Sequence, residues 1–246
     1  MEREEALARE RLTDPTLPNV LRLYTWQPHA VSIGYQQKME SVDVEACQAA
    51  GVDVVRRPTG GRAVLHANEL TYGVVLRAEV SLGIYAVHNF IIEALLASLE
   101  GLGAEYSSME ITGRTTAKPF NEIYSAGTLT NEACFASSAR HEVTYHGRKV
   151  IGSAQRRFGE VVLQHGSILL TNDHLRLTEF LALPEAGRAR MRELLMRETA
   201  TLSDVFQRPI SADEAADSIQ ERFVTHFSGQ QQCQTKTAPL LSRQSV

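Results

Sequence analysis

Three short segments of this chain combine residue types that can do chemistry. The first is Arg56-Arg57-Pro58-Thr59-Gly60-Gly61-Arg62-Ala63-Val64-Leu65-His66, with two arginines ahead of a turn holding adjacent glycines. Glycines let backbone N–H groups approach a ligand closely, and arginines beside them suit an anionic or strongly polar partner. A plain hairpin turn with solvated arginines is the bland alternative. The second is Cys134, which follows a polar stretch rather than sitting in an apolar stripe. A free thiol, with a pKa of about 8.5, is only a few per cent thiolate at neutral pH, and a nearby ammonium would raise that fraction. A lone cysteine is ordinarily just a small buried apolar residue. The third is Gly147-Arg148-Lys149-Val150-Ile151-Gly152-Ser153-Ala154, in which a lysine leaves a turn onto a strand of small residues. Small neighbours such as Gly152, Ser153 and Ala154 leave room for a ligand beside the backbone.

The basic residues Arg140, Arg148, Lys149, Arg156 and Arg157 face the single acid Glu142 over this stretch. They form a local positive patch to which an acidic carrier protein can be steered; for Arg148, Arg156 and Arg157 taken singly, a solvated edge strand is the better reading. His66 ends the first segment and His165 lies in a strand-like run; a lone histidine ordinarily serves structure. No cluster at metal spacing occurs, so no metal is expected.

The elements that must position these residues alternate along the chain. Helices are expected over 2–12, 42–50, 84–101, 175–183, 185–198 and 212–227. Strands are expected over 19–26, 30–35, 52–55 and 70–76, and two hairpins turn at His146-Gly147 and Phe158-Gly159, the last strand continuing toward Leu170. Residues 107–130 read as a long polar loop. The result is an α+β class with a mixed, mostly antiparallel central sheet flanked by helices. Residues 1–228 are expected to form a single domain and 229–246 a disordered tail. The 246 residues, 43% hydrophobic and 22% charged, can bury a sizeable core, which excludes global disorder. A net charge of -4 disfavours nucleic-acid binding, and no apolar run is long enough for a membrane span. The acidic opening does not read as a signal peptide, and three scattered cysteines fit a reducing, cytoplasmic setting.

Taken in order, these segments resemble the biotin/lipoate protein ligase superfamily. The resemblance rests on Arg-Arg-x-x-Gly-Gly-x-x-Val-x-His at 56–66 and Gly-x-Lys-x-x-Gly-Ser-Ala at 147–154, with Trp26, Ser32 and Gly34 matching the family's opening hairpin. It covers about residues 1–200. The superfamily holds ATP-dependent lipoate ligases and ATP-independent octanoyltransferases. Arg62, where lipoate ligases usually carry a third glycine, and the mid-chain Cys134 resemble the second group. The opening helix and Ala67 depart from the family pattern.

The resemblance implies an enzyme, an acyltransferase of protein lipoylation and lipoate biosynthesis. Cys134 would take the octanoyl group from acyl carrier protein as a thioester and pass it to a lysine of a lipoyl domain, such as glycine cleavage H protein or a 2-oxoacid dehydrogenase subunit. Lys149 would favour the thiolate. Arg56, Arg57, Thr59, Gly60, Gly61, Arg62, His66, Gly152, Ser153 and Ala154 are the expected substrate-binding residues. No cofactor is implied. Two other readings stay open: an ATP- and magnesium-dependent lipoate–protein ligase working through an acyl-adenylate, and a non-catalytic binder of acyl carrier protein or lipoyl domains.

Overall fold

The computed structural model describes residues 2–111 and 142–231. Cys134, Arg140 and Cys233 lie outside them. Among the described residues, nine strands form two sheets. The larger has the order β1-β5-β9-β8-β7-β6, built from β1 (Val20–Tyr24), β5 (Glu69–Arg77), β6 (Met109–Ile111), β7 (Val143–Tyr145), β8 (Arg148–Phe158) and β9 (Val161–Leu169). All its pairings are antiparallel. The smaller is β3-β2-β4, from β2 (Ala30–Ile33), β3 (Asp53–Arg56) and β4 (Val64–His66), with β2 parallel to β3 and antiparallel to β4. This is the expected α+β class.

Side-chain alternation explains the layering. Leu70, Tyr72, Val74 and Leu76 of β5 point into the main core with Val162 and Ile168 of β9. Helices α3 (Ile84–Ser98) and α6 (Ala212–Gln231) close that core through Ile91, Leu95, Ile219 and Phe223. The opposite face of β5 and β9 is shared by two covers. Helix α1 (Glu2–Thr13) lays Ala8 against Val75, Val161 and Leu163. Its buried Glu4 pairs with Arg22 of β1 and packs over Gly73, where an added Cβ would lie 3.2 Å from Glu4 Cγ. The small sheet covers the rest. It is backed by α2 (Val44–Ala49), α4 (Glu185–Glu198) and the 3-10 helix Asn172–Phe180, around Val31, Ile33, Leu65 and Met191. A short helix α5 (Leu202–Phe206), with a Thr201–Asp204 capping box, links α4 to α6.

Several expected boundaries move for local reasons. The two hairpins share one 11-residue strand, β8, because Gly152 stays in register opposite Ser167 instead of breaking it. A bulge between β7 and β8 is placed at Val143/Thr144. Helix α2 starts at Val44, since Val42 bridges to Leu181 and Asp43 accepts a cap hydrogen bond from the Ala46 N–H at 3.0 Å. The segment 172–180 is 3-10 rather than α-helical, and α6 runs past Phe227 to Gln231. No helix of the described residues is long and apolar enough to cross a membrane.

Candidate functional site

The second face of the large sheet carries a cavity where the small sheet meets it. Small residues on β8 and β9 make the space: Gly152, Ser153 and Ala154 pair with Ser167, Gly166 and His165 across the ladder. The opposite wall comes from Ser32 of β2, Arg57, Val64 and His66, and Thr71 and Ser167 complete the lining. Of the expected substrate-binding residues, the structure therefore gathers Arg57, His66, Gly152, Ser153 and Ala154 around one space. Close backbone approach leaves room for glycine alone at two positions, one in the cavity wall and one beneath the Gly-rich turn. A Cβ at Gly166 would stand 2.1 Å from Gly152 O and 2.7 Å from Tyr72 Cε1, and one at Gly34 would stand 1.9 Å from Gly61 O.

The Gly-rich turn is held from within by its own arginines. Arg57, 4% exposed, donates from Nη1 to Ser32 O and Oγ, both at 3.1 Å, and from Nη2 to Gly60 O at 3.0 Å and Arg62 O at 2.6 Å. Arg56 Nη1 donates to the carbonyls of Gly34, Tyr35 and Gln37 at 2.7–2.9 Å. Both arginines thus donate to carbonyls of the turn and of the segment beside it, and the buried guanidinium of Arg57 matches its fork to several acceptors at once. Gly61 has φ 94°, a conformation glycine adopts without strain. Arg62 keeps Nη1 buried with no hydrogen-bond partner.

His66 sits in a buried polar chain. Its Nε2 lies 2.8 Å from Ser32 Oγ and its Nδ1 lies 2.8 Å from Glu69 Oε1. Thr71 Oγ1 donates to the same Glu69 oxygen and accepts from Trp26 Nε1 at 2.8 Å. The Trp26 ring stacks on His66, centroids 4.5 Å apart and planes within 18°. This chain ties β1, β2, β4 and β5 together at the cavity wall. Sequence reasoning passed over Glu69, Thr71 and Ser167 and took His165 for a lone structural histidine; the signal of all four is polarity at inward strand positions. His165 is 2% exposed, and its Nε2 lies 2.6 Å from Thr59 Oγ1. Burial, with Arg57 nearby, pushes its pKa down to about 3, so the ring is neutral at pH 7.

Lys149 stands on β8 three positions before Gly152, about 10 Å along the strand. Its ammonium is buried and ion-paired with Glu142, the side chains being 5% and 6% exposed. Glu142 immediately precedes β7, whose Val143 pairs with Ile151, so the ion pair lies beside the Ile151–Gly152 stretch. Spacing gave Lys149, but nothing in the sequence distinguished Glu142 as its partner. Three members of the expected basic patch take partners within the protein. Lys149 is withdrawn from the surface, Arg157 donates to the carbonyls of Ala78, Glu79 and Leu82, and Arg156 donates to Pro58 O while lying over the Tyr35 and Phe158 rings. Among the described residues, no group of three His, Cys, Asp or Glu side chains is arranged to hold a metal.

The family described as lipoyl protein ligase A/B catalytic domain matches residues 1–224. The chain belongs to this family. It is 39% identical over 231 residues to the octanoyltransferase LipM of Moorella thermoacetica, covering 92% of this chain and 80% of that protein. It is 33% identical over 219 residues to the octanoyltransferase LipM of Bacillus subtilis, covering 87% of this chain and 76% of that one. Among solved structures, the fold resembles the bi-partite lipoate protein ligase of Thermoplasma acidophilum, with a TM-score of 0.68, 21% identity and coverage of 99% and 82%. Lipoate-protein ligase A bound with ATP gives a TM-score of 0.65 at 21% identity, covering 99% of this chain and 81% of that one. These two likenesses establish the family's fold for this chain.

Proposed function

We propose that the protein transfers an octanoyl group from octanoyl-acyl carrier protein, through a thioester on Cys134, to a lysine of a lipoyl domain. The observation that carries this reading is the chain-long similarity, 33–39% identical, to proteins named octanoyltransferase. The Cys134 thiolate attacks the donor thioester carbonyl. The tetrahedral oxyanion collapses, the carrier's thiolate leaves, and it takes up the proton that Cys134 gave up. The amine of the acceptor lysine then attacks the Cys134 thioester, forming an amide, regenerating the thiolate and releasing one proton. Thioester to amide is downhill, so the reading needs no nucleotide or metal. Lys149, ion-paired with Glu142, favours the thiolate through the positive charge of its ammonium. The cavity between the sheets takes the acyl group, with Gly152, Ser153 and Ala154 supplying the space.

The test is intact mass after mixing with octanoyl-acyl carrier protein in the absence of ATP. An added octanoyl group on the wild type, absent from Cys134→Ser, supports the reading. Product formed only from free octanoate or lipoate with ATP and magnesium overturns it in favour of the ligase.

A further inference from the structure

We infer that His165 is a catalytic residue of the acyl site, donating a hydrogen bond from Nδ1–H to the thioester carbonyl oxygen. The inference rests on the octanoyl-transfer reading above and deepens it. Two observations carry it. His165 lines the cavity, and its Nδ1 is buried with no hydrogen-bond partner. A buried polar atom left unpaired beside an empty space is costly unless a bound molecule completes it.

The tautomer follows from counting donors and acceptors. Thr59 is 1% exposed, and its hydroxyl makes its one hydrogen bond among the described residues to His165 Nε2. If Nε2 carried the proton, both the Thr59 hydroxyl hydrogen and Nδ1 would be left unpaired. If Thr59 donates to Nε2, only Nδ1–H is left, so the second arrangement is the stable one. The ring is neutral in its buried place beside Arg57, so it offers a donor without a charge. Nδ1–H therefore requires an acceptor. Apart from its carbonyl oxygen, an octanoyl group is hydrocarbon. In the transfer reading the acceptor is that oxygen, which gains charge as the nucleophile attacks and rewards a fixed donor most in the transition state. The ladder agrees: His165 and Ser167 share one face of β9 and pair with Ala154 and Gly152, which line the same cavity.

The test is single-turnover acylation by octanoyl-acyl carrier protein, read by intact mass, for wild type, His165→Ala, His165→Gln and Thr59→Val. Acylation of His165→Ala should be slower by about 100-fold at saturating donor, with the half-saturating donor concentration changed less than about threefold. His165→Gln, which keeps an N–H donor, should recover part of the rate. Thr59→Val frees the ring to carry its proton on Nε2 and should also slow acylation. The pH profile of Cys134 alkylation by iodoacetamide should stay unchanged in all three, because the donor acts on the carbonyl and not on the thiol. If a variant does not fold, the carbonyl infrared stretch of wild-type enzyme acylated with 13C-carbonyl octanoate decides. A frequency below that of the same thioester in hydrocarbon supports the bond, and an equal frequency overturns it. Acylation of His165→Ala at the wild-type rate, or a loss confined to donor affinity, overturns this inference alone. Failure of the wild type to become acylated overturns the transfer reading itself, and this one with it.

Discussion

Replacing Lys149 by Met removes its ammonium while keeping most of the side-chain volume. The Glu142 carboxylate then stays in a site where both partners are only 5–6% exposed. Leaving one charge of a buried pair uncompensated costs about 3–5 kcal/mol. In a chain this long each kcal/mol lowers Tm by about 2–4 °C, so Lys149→Met should melt about 6–20 °C below wild type. Glu142→Gln should lose a comparable amount by removing the carboxylate charge that faces the buried ammonium. The double variant removes both charges and should fall short of the summed single losses by about 1–3 kcal/mol. Urea denaturation can be followed by fluorescence of Trp26, the single tryptophan, which stacks on His66 in the cavity wall. Single variants within about 0.5 kcal/mol of wild type, with additive losses, would refute the claim that this pair is a buried interaction.

Three further outcomes are expected. Cys134→Ser should fold normally and lose acyl transfer, because an unactivated hydroxyl is a far weaker nucleophile at pH 7; transfer at the wild-type rate, measured by octanoylation of a lipoyl domain, would remove Cys134 from the mechanism. Gly166→Ala drives a Cβ to 2.1 Å from a backbone oxygen of the neighbouring strand, so β8 and β9 must part; a loss of about 1–3 kcal/mol in urea denaturation is expected, and an unchanged midpoint would show that the ladder yields freely. His165 contributes a pH dependence of definite sign. Its folded pKa of about 3 lies below the ordinary histidine value of 6.5, so the unfolded chain binds the extra proton. Its share of stability is full above pH 6.5 and declines as pH falls toward 3. Between pH 7 and pH 5 it accounts for a loss of about 2 kcal/mol, which His165→Gln should remove; an identical pH dependence in the variant would contradict it.

The fold class, most element positions and the family were legible in the order of the residues alone. Apolar residues at three- and four-residue spacing over Ile84–Ser98, and strand-forming residues over Leu70–Leu76, record which surfaces must leave water, and that record is local. The paired glycines at 60–61 and Lys149 were legible because a motif keeps its chemistry in fixed order along the chain. Partner choice was not legible. Arg57 and Ser32 are separated by 25 residues, Thr59 and His165 by 106, and Tyr72 meets Ser153 across 81. Each is decided by sheet register, which turns a side chain to one face or the other with every single-residue step. Arg56 and Arg57 show the same limit. Their charges suggested a ligand, and only the folded turn showed that they also donate to the protein's own carbonyls. Glu142 was one acid among bases until β7 laid it beside Lys149. The cavity exists in no segment, because it is the gap left where the small sheet covers one face of the large one and Gly152 and Ala154 have too little side chain to fill it.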